Sequence, residues 1–267
     1  MSTLQAVVFD WAGTTVDHGS LAPVRAMTEL FSRNGVSVSK HDVRRDMGIY
    51  KRDHIRRILQ LPNVESQWSD VHGAAPSGED IDRLFAEFIP LQLEVLAPHS
   101  QVISGVAETV QRLRNRGLRI AGTTGYTRGM MDILIQSAAK EGYAPEISLC
   151  PEDVGGGRPY PWMCQKIAID LRVRASAAMV KVGDTPSDIE EGLSAGMWTV
   201  GVSATGNEAG LSHEELNLLA KHERKLLLEA AADRLELAGA HYVVTSVAEI
   251  EPVLERIEAK LATGKRP

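Results

Sequence analysis

Ala6-Val7-Val8-Phe9-Asp10-Trp11-Ala12-Gly13-Thr14-Thr15 is the stretch that decides the fold. Four apolar residues without alternation read as a strand buried on both faces, as in a parallel sheet, and Asp10 with the Gly13-Thr14-Thr15 turn halts it. The same grammar recurs at Leu118 to Thr123, Ile147 to Leu149, Met179 to Val182, Trp198 to Val202 and Tyr242 to Thr245. Helical patterns at Val106 to Arg116, Thr127 to Glu141 and Ser187 to Ala195 separate these runs. Alternating strand and helix predicts an α/β chain with a doubly wound parallel sheet, whose ligands sit at the carboxyl ends of the strands.

Between Leu21 and Pro98 the pattern changes to helix after helix: Val24 to Arg33, Lys40 to Met47, Asp53 to Leu61 and Glu79 to Leu96. The expected organisation is therefore an α/β core of residues 1–20 and 99–267, with residues 21–98 inserted as an all-helical cap over the strand ends. Leu211 to Leu237, rich in Glu, Leu, Ala and Lys, reads as a solvated pair of surface helices.

The 267 residues, 43% hydrophobic and 24% charged, are enough for a core with a smaller inserted unit and are far from the composition of a disordered chain. With 29 Lys and Arg against 35 Asp and Glu, a formal charge of -6 provides no general attraction to nucleic acid or anionic lipid, so any bound phosphate must be captured locally. Cys150 and Cys164, the two cysteines, lack the spacing of a zinc site or a disulfide framework. With no leader-like segment and no run approaching the ~20 apolar residues of a membrane span, they point to the cytoplasm.

Asp10 alone reads equally well as a turn or cap residue. Its company changes that. Asp184 ends the strand Val180-Lys181-Val182-Gly183, and Asp188 follows at i+4, so three carboxylates converge at one sheet edge. Such a cluster repels itself unless a cation neutralises it, and oxygen-only ligands suit Mg²⁺ better than zinc. Thr123-Thr124-Gly125 offers hydroxyls and backbone N–H groups at a helix start, a cradle for phosphate. Arg158, fixed between Gly157 and Pro159, can hold a second phosphate edge.

Asp10-Trp11-Ala12-Gly13-Thr14-Thr15, Gly122-Thr123-Thr124-Gly125, Arg158 and Val182-Gly183-Asp184-Thr185-Pro186-Ser187-Asp188 resemble the four motifs of the haloacid dehalogenase superfamily of phosphotransferases. The resemblance implies that Asp10 is the nucleophile. Most phosphatases of that superfamily carry a general acid two positions later, where this chain has Ala12. A phosphate ester needs its leaving alkoxide protonated, and Ala12 donates nothing.

The longer matches resolve the departure. Asp10 to Asp17, Met47-Gly48 followed by Lys51 and His54, Thr123 to Arg128, and Gly157 to Met163 resemble the phosphonoacetaldehyde hydrolase family, which carries the same Ala. That resemblance implies hydrolysis of phosphonoacetaldehyde to acetaldehyde and phosphate, with Lys51 condensing with the aldehyde so that the iminium accepts the electrons of the P–C bond. It further implies His54 as a proton shuttle, Met47 and Tyr126 as pocket lining, and Thr124 rather than Thr123 for phosphate contact. The resemblance also implies Mg²⁺ held by Asp10, Asp184 and the carbonyl of Ala12, supported by Asp188, and a homodimeric enzyme. Ser20 stands where members of the family carry Cys. The alternatives are a phosphomonoesterase of the superfamily, opposed by Ala12, a non-catalytic relative, opposed by intact Asp10, Lys51 and Asp184, and a metal-independent dehalogenase, opposed by the carboxylate cluster.

Overall fold

In the computed structural model, which describes residues 3–267, Ala6–Phe9 forms β1 with all four side chains buried. Val7 and Phe9 enter one apolar cluster and Ala6 and Val8 the other, which is why the run shows no alternation. The chain then passes through five helices: α1 (Leu21–Arg33), α2 (Lys40–Arg45), α3 (Lys51–Leu59), α4 (Pro62–His72) and α5 (Gly78–Leu96). It returns through α6 (Val106–Asn115), β2 (Arg119–Thr123), α7 (Arg128–Lys140), β3 (Ile147–Leu149), α8 (Trp162–Asp170), β4 (Met179–Gly183) and α9 (Pro186–Ser194). The remaining elements are β5 (Trp198–Val202), α10 (His213–Leu218), α11 (Lys221–Leu237), β6 (Tyr242–Val244) and α12 (Glu251–Ala262).

The six strands are parallel in the order β3-β2-β1-β4-β5-β6, as the alternation of strand and helix predicts. Strand order reverses between β1 and β4, so the crevice of a doubly wound sheet opens beside Asp10 and Asp184. Phe9 lies opposite both Gly122 and Val182. Position 122 must be glycine because a Cβ there would enter the Trp11 indole.

Among the inserted helices, α1 packs along α5, and α3 packs against α5 and α4. Met27, Leu30, Phe31, Ile55, Ile58, Leu84 and Phe88 are fully buried there, each contributing roughly 1.5–3 kcal/mol of transfer free energy. Two links join this unit to the sheet. In the first, Asp17, Gly19 and Ser20 all have positive φ, and a Cβ at Gly19 would meet the Leu211 carbonyl. Three helices lie outside the sequence expectations. Val64 and Trp68 anchor α4 at i and i+4 behind Pro62 at its first turn, too few apolar positions for a periodic signal. The segments of α8 and α12 are helical as well.

Among the described residues, no helix is long and apolar enough to cross a membrane. Both cysteines are buried free thiols.

Candidate active site

The first strand delivers Asp10 to the sheet edge, where its N–H donates to the Val182 carbonyl at 2.8 Å, locking β1 and β4 together at the point of use. Asp184, at the end of β4, is held from three sides. Thr14 Oγ1 donates to its Oδ1 at 2.9 Å, the Asn207 N–H donates to its Oδ2 at 2.7 Å, and Gly13, at φ 92°, lies so close that a Cβ would overlap the carboxylate. The Gly13 to Thr15 turn thus has a structural reason beyond reversing the chain.

Oxygens of Asp10, Asp184 and Asp188 lie within 4.8 Å of one another, all three residues buried. Burial first, then the neighbouring carboxylates, push Asp10 above and Asp184 well above the ordinary carboxylate range. A divalent cation would reverse this, and an all-oxygen donor set fits a hard ion of that kind. Asp188 differs. Its Oδ2 accepts from Thr185 Oγ1 at 2.6 Å in the capping box that starts α9, and its Oδ1 faces Lys181 Nζ at 2.6 Å and Arg158 Nη1 at 2.9 Å. Both oxygens being engaged, Asp188 stands behind Asp10 and Asp184. Although burial opposes ionisation, Arg158 and Lys181 hold Asp188 below the usual range.

All three guanidinium nitrogens of Arg158 are engaged. Nε meets Glu191 at 2.8 Å, Nη1 meets Asp188 and the Gly48 carbonyl, and Nη2 meets Asp10 at 2.7 Å and Thr123 at 2.8 Å. An incoming oxyanion would have to displace one of these partners to reach the guanidinium. Thr123 is directed into this network, with its hydroxyl donating to Glu191 at 3.0 Å, whereas Thr124 lines the cavity beside it. Thr124 Oγ1 accepts the Tyr126 N–H at 3.2 Å, which leaves its own hydroxyl proton free.

The inserted unit supplies the opposite wall. Lys51 is the first residue of α3, 2% exposed, and its Nζ meets Met47 Sδ at 3.6 Å and the face of Tyr126 at 5.5 Å. Among the described residues no carboxylate forms a salt bridge with it, and Asp10 and Asp184 act on it only at longer range. Burial lowers its pKa to about 8, with Arg158 adding to the shift and Asp10 opposing it. His54 sits one turn on, fully buried, with Nε2 2.7 Å from the Val43 carbonyl. A carbonyl only accepts, so Nε2 carries the proton and Nδ1 is a bare base without a partner. Burial, with Lys51 adding to it, lowers His54 to about 3 and keeps it neutral. The Tyr126 hydroxyl is likewise buried without a partner.

Asp10, Ala12, Ser20, Met47, Lys51, Thr124, Tyr126 and Arg158 line one cavity of about 20 Å³, room for little more than a water molecule. His54, Asp184 and Asp188 stand behind that wall. Sequence reading missed Lys181 and Glu191, buried behind Asp188, and Arg44 and Asn207, which bridge the inserted unit and the sheet. A lysine inside the apolar run Met179 to Val182 was a visible signal for the first, whereas nothing local marks Arg44.

The family model for haloacid dehalogenase-like hydrolases matches residues 4–196. A bifunctional phosphonoacetaldehyde hydrolase/aminoethylphosphonate transaminase from Clostridioides difficile is 45% identical over 255 residues, covering 96% of this chain; the chain spans only 40% of that relative. A phosphonoacetaldehyde hydrolase from Bacillus cereus is 43% identical, with 96% of this chain and 97% of the relative covered. The crystal structure of a phosphonoacetaldehyde hydrolase-like protein from Oleispira antarctica superposes with a TM-score of 0.97 at 43% identity, over 99% of this chain and 96% of that one.

Proposed function

This chain belongs to the phosphonoacetaldehyde hydrolase family of the haloacid dehalogenase-like hydrolases, and on that premise we propose that it cleaves the P–C bond of phosphonoacetaldehyde, releasing acetaldehyde and phosphate. The observation that carries this reading is Lys51, an amine buried without a carboxylate partner, facing the same cavity as Asp10. Its burial favours the neutral form that attacks an aldehyde.

The neutral Lys51 amine adds to the aldehyde carbon, and the carbinolamine takes up one proton from solvent and loses water, giving an iminium. Asp10 attacks phosphorus, the P–C bond breaks, and its electron pair moves into the iminium to give a neutral enamine. The leaving group thus departs without a general acid at position 12. Water then attacks the aspartyl phosphate, returning Asp10 and releasing phosphate, while protonation and hydrolysis of the enamine release acetaldehyde and regenerate Lys51. His54, with Nδ1 free one turn from Lys51, takes up a proton only in passing during imine formation, since burial holds it neutral at rest. Thr124 and Arg158 hold the phosphonate oxygens, and Met47 and Tyr126 confine the aldehyde end. Asp10, Asp184 and the Ala12 carbonyl, with Asp188 in support, would hold Mg²⁺, which would supply charge neutralisation for the carboxylates and the phosphonate.

Residues 21–98 act as the cap. A cavity of about 20 Å³ excludes the substrate, so binding requires the cap to swing away and return with Lys51. The deciding experiment is the simultaneous release of acetaldehyde and phosphate from phosphonoacetaldehyde, against simple phosphate esters as controls. Faster turnover of the esters would hand the function to a phosphomonoesterase.

A further inference from the structure

One charged group lies wholly behind the cavity wall. Met179–Gly183 is a central strand buried along its whole length, and Lys181 within it is 0% exposed. A lysine is rarely so placed without a partner. Its stem fits because α9 has glycine at 192, where a Cβ would press on Lys181 Cβ at 2.7 Å and Cγ at 3.0 Å. Nζ lies 2.6 Å from Asp188 Oδ1 and 3.5 Å from Glu191 Oε2. That same Glu191 oxygen receives Arg158 Nε at 2.8 Å and Thr123 Oγ1 at 3.0 Å. Lys181 therefore touches the groups that fix Arg158 and Asp188, and lines no part of the cavity itself.

The charges are informative. Asp10, Asp184, Asp188 and Glu191 contribute four negative charges, and Arg158 and Lys181 two positive ones. Two negative charges remain within this group, with Lys51 a further cation across the cavity from Asp10 at pH 7.5. We propose, resting on the reading of Asp10 and Asp184 as a divalent-ion site, that Lys181 and Glu191 are a positioning pair that sets the net charge presented to that ion. Without Lys181 the cluster carries three negative charges, and without the Glu191 charge it carries one. Removing both restores two.

The test is Mn²⁺ binding to the full chain at pH 7.5, followed by electron spin resonance of the free ion, beside kcat. Lys181→Met is expected to bind Mn²⁺ about tenfold more tightly and Glu191→Gln about tenfold more weakly, with the double variant within about threefold of the parent. Turnover falls in both single variants, because Arg158 and Asp188 lose a holding contact. A purely structural role would shift both single variants in the same direction, following the folded fraction, and that result overturns the proposal. If Lys181→Met does not fold, the isosteric Glu191→Gln decides alone, and an unchanged Mn²⁺ affinity there sinks it. A parent chain that binds no Mn²⁺ at all overturns the metal reading itself, and this proposal with it.

Discussion

Arg44 and Asn207 grip each other across the cleft: the guanidinium donates to the Asn207 side-chain oxygen at 3.0 Å, and the Asn207 side-chain amide donates back to the Arg44 carbonyl at 3.1 Å. Arg44 also reaches the carbonyls of Gly19 at 2.9 Å and Gly210 at 3.0 Å. The Asn207 N–H, in turn, holds Asp184 at 2.7 Å. One residue of the inserted unit is thereby fastened to the loop that orients a carboxylate of the site.

This clasp predicts the behaviour of Arg44→Ala. It removes side-chain hydrogen bonds that exist only when the inserted helices lie against the sheet, each contributing about 1 kcal/mol net. The expected result is a KM raised about tenfold and faster proteolytic nicking within residues 21–98, with the core left resistant. Equal nicking rates in the parent and the variant would remove the clasp from the account of closure.

The sheet and its carboxylates were legible because their signals are local. A strand buried on both faces must be a continuous apolar run, and its first polar residue marks the carboxyl edge, so Asp10 and Asp184 announce themselves. Arg44 and Asn207 did not, because a clasp between residues 163 positions apart leaves no periodicity in either neighbourhood. Lys181 lay between. Its charge inside an apolar strand was visible, but its partners Asp188 and Glu191 become neighbours only once α9 folds back over β4. The engagement of every Arg158 nitrogen was also invisible, since a motif identifies the residue and not its partners.

Asp10→Asn removes the proposed nucleophile and one carboxylate from a cluster that burial and mutual repulsion already disfavour. Turnover is expected to fall by at least about 10⁴-fold, with unfolding stability within about 1 kcal/mol of the parent, since Asn still accepts from Arg158. EDTA should silence the parent enzyme and Mg²⁺ restore it. Substantial turnover by Asp10→Asn, or full activity in EDTA, would refute the assignment.

Lys51 should cost stability, because a buried amine lacks the hydration of its unfolded form. Its pKa is lowered from 10.5 to about 8 on folding, so the unfolded chain binds the proton more tightly and stability rises as pH climbs between those values. At pH 7 the penalty is on the order of 3 kcal/mol. Lys51→Met, similar in volume and uncharged, is therefore expected to be about 2 kcal/mol more stable at pH 7 in urea unfolding. That gain should shrink above pH 8 and vanish near pH 10.5, where the lysine is neutral in both states. A variant less stable than the parent at pH 7 would show that the amine has a partner worth more than its desolvation.

The same amine gives the sharpest chemical prediction. Only a neutral amine attacks an aldehyde, and with a pKa of about 8 roughly a tenth of Lys51 is neutral at pH 7, against less than a thousandth for an ordinary lysine. Borohydride added with acetaldehyde should therefore reduce an imine to a secondary amine at Lys51 before any other lysine is touched, and inactivate the enzyme. Since protonation removes the nucleophile, the inactivation rate should fall about tenfold per pH unit well below pH 8 and level off above it. Lys181 provides an internal control: burial and Arg158 oppose its charge, but Asp188 and Glu191 hold its pKa above the ordinary value, so it stays protonated and unlabelled. Lys51→Arg keeps a cation but forms no imine under these conditions, so it should lose turnover while still binding inorganic phosphate. Peptide mapping that finds the label elsewhere, or a Lys51→Arg enzyme that still releases acetaldehyde, would leave P–C cleavage without its electron sink and exclude the mechanism.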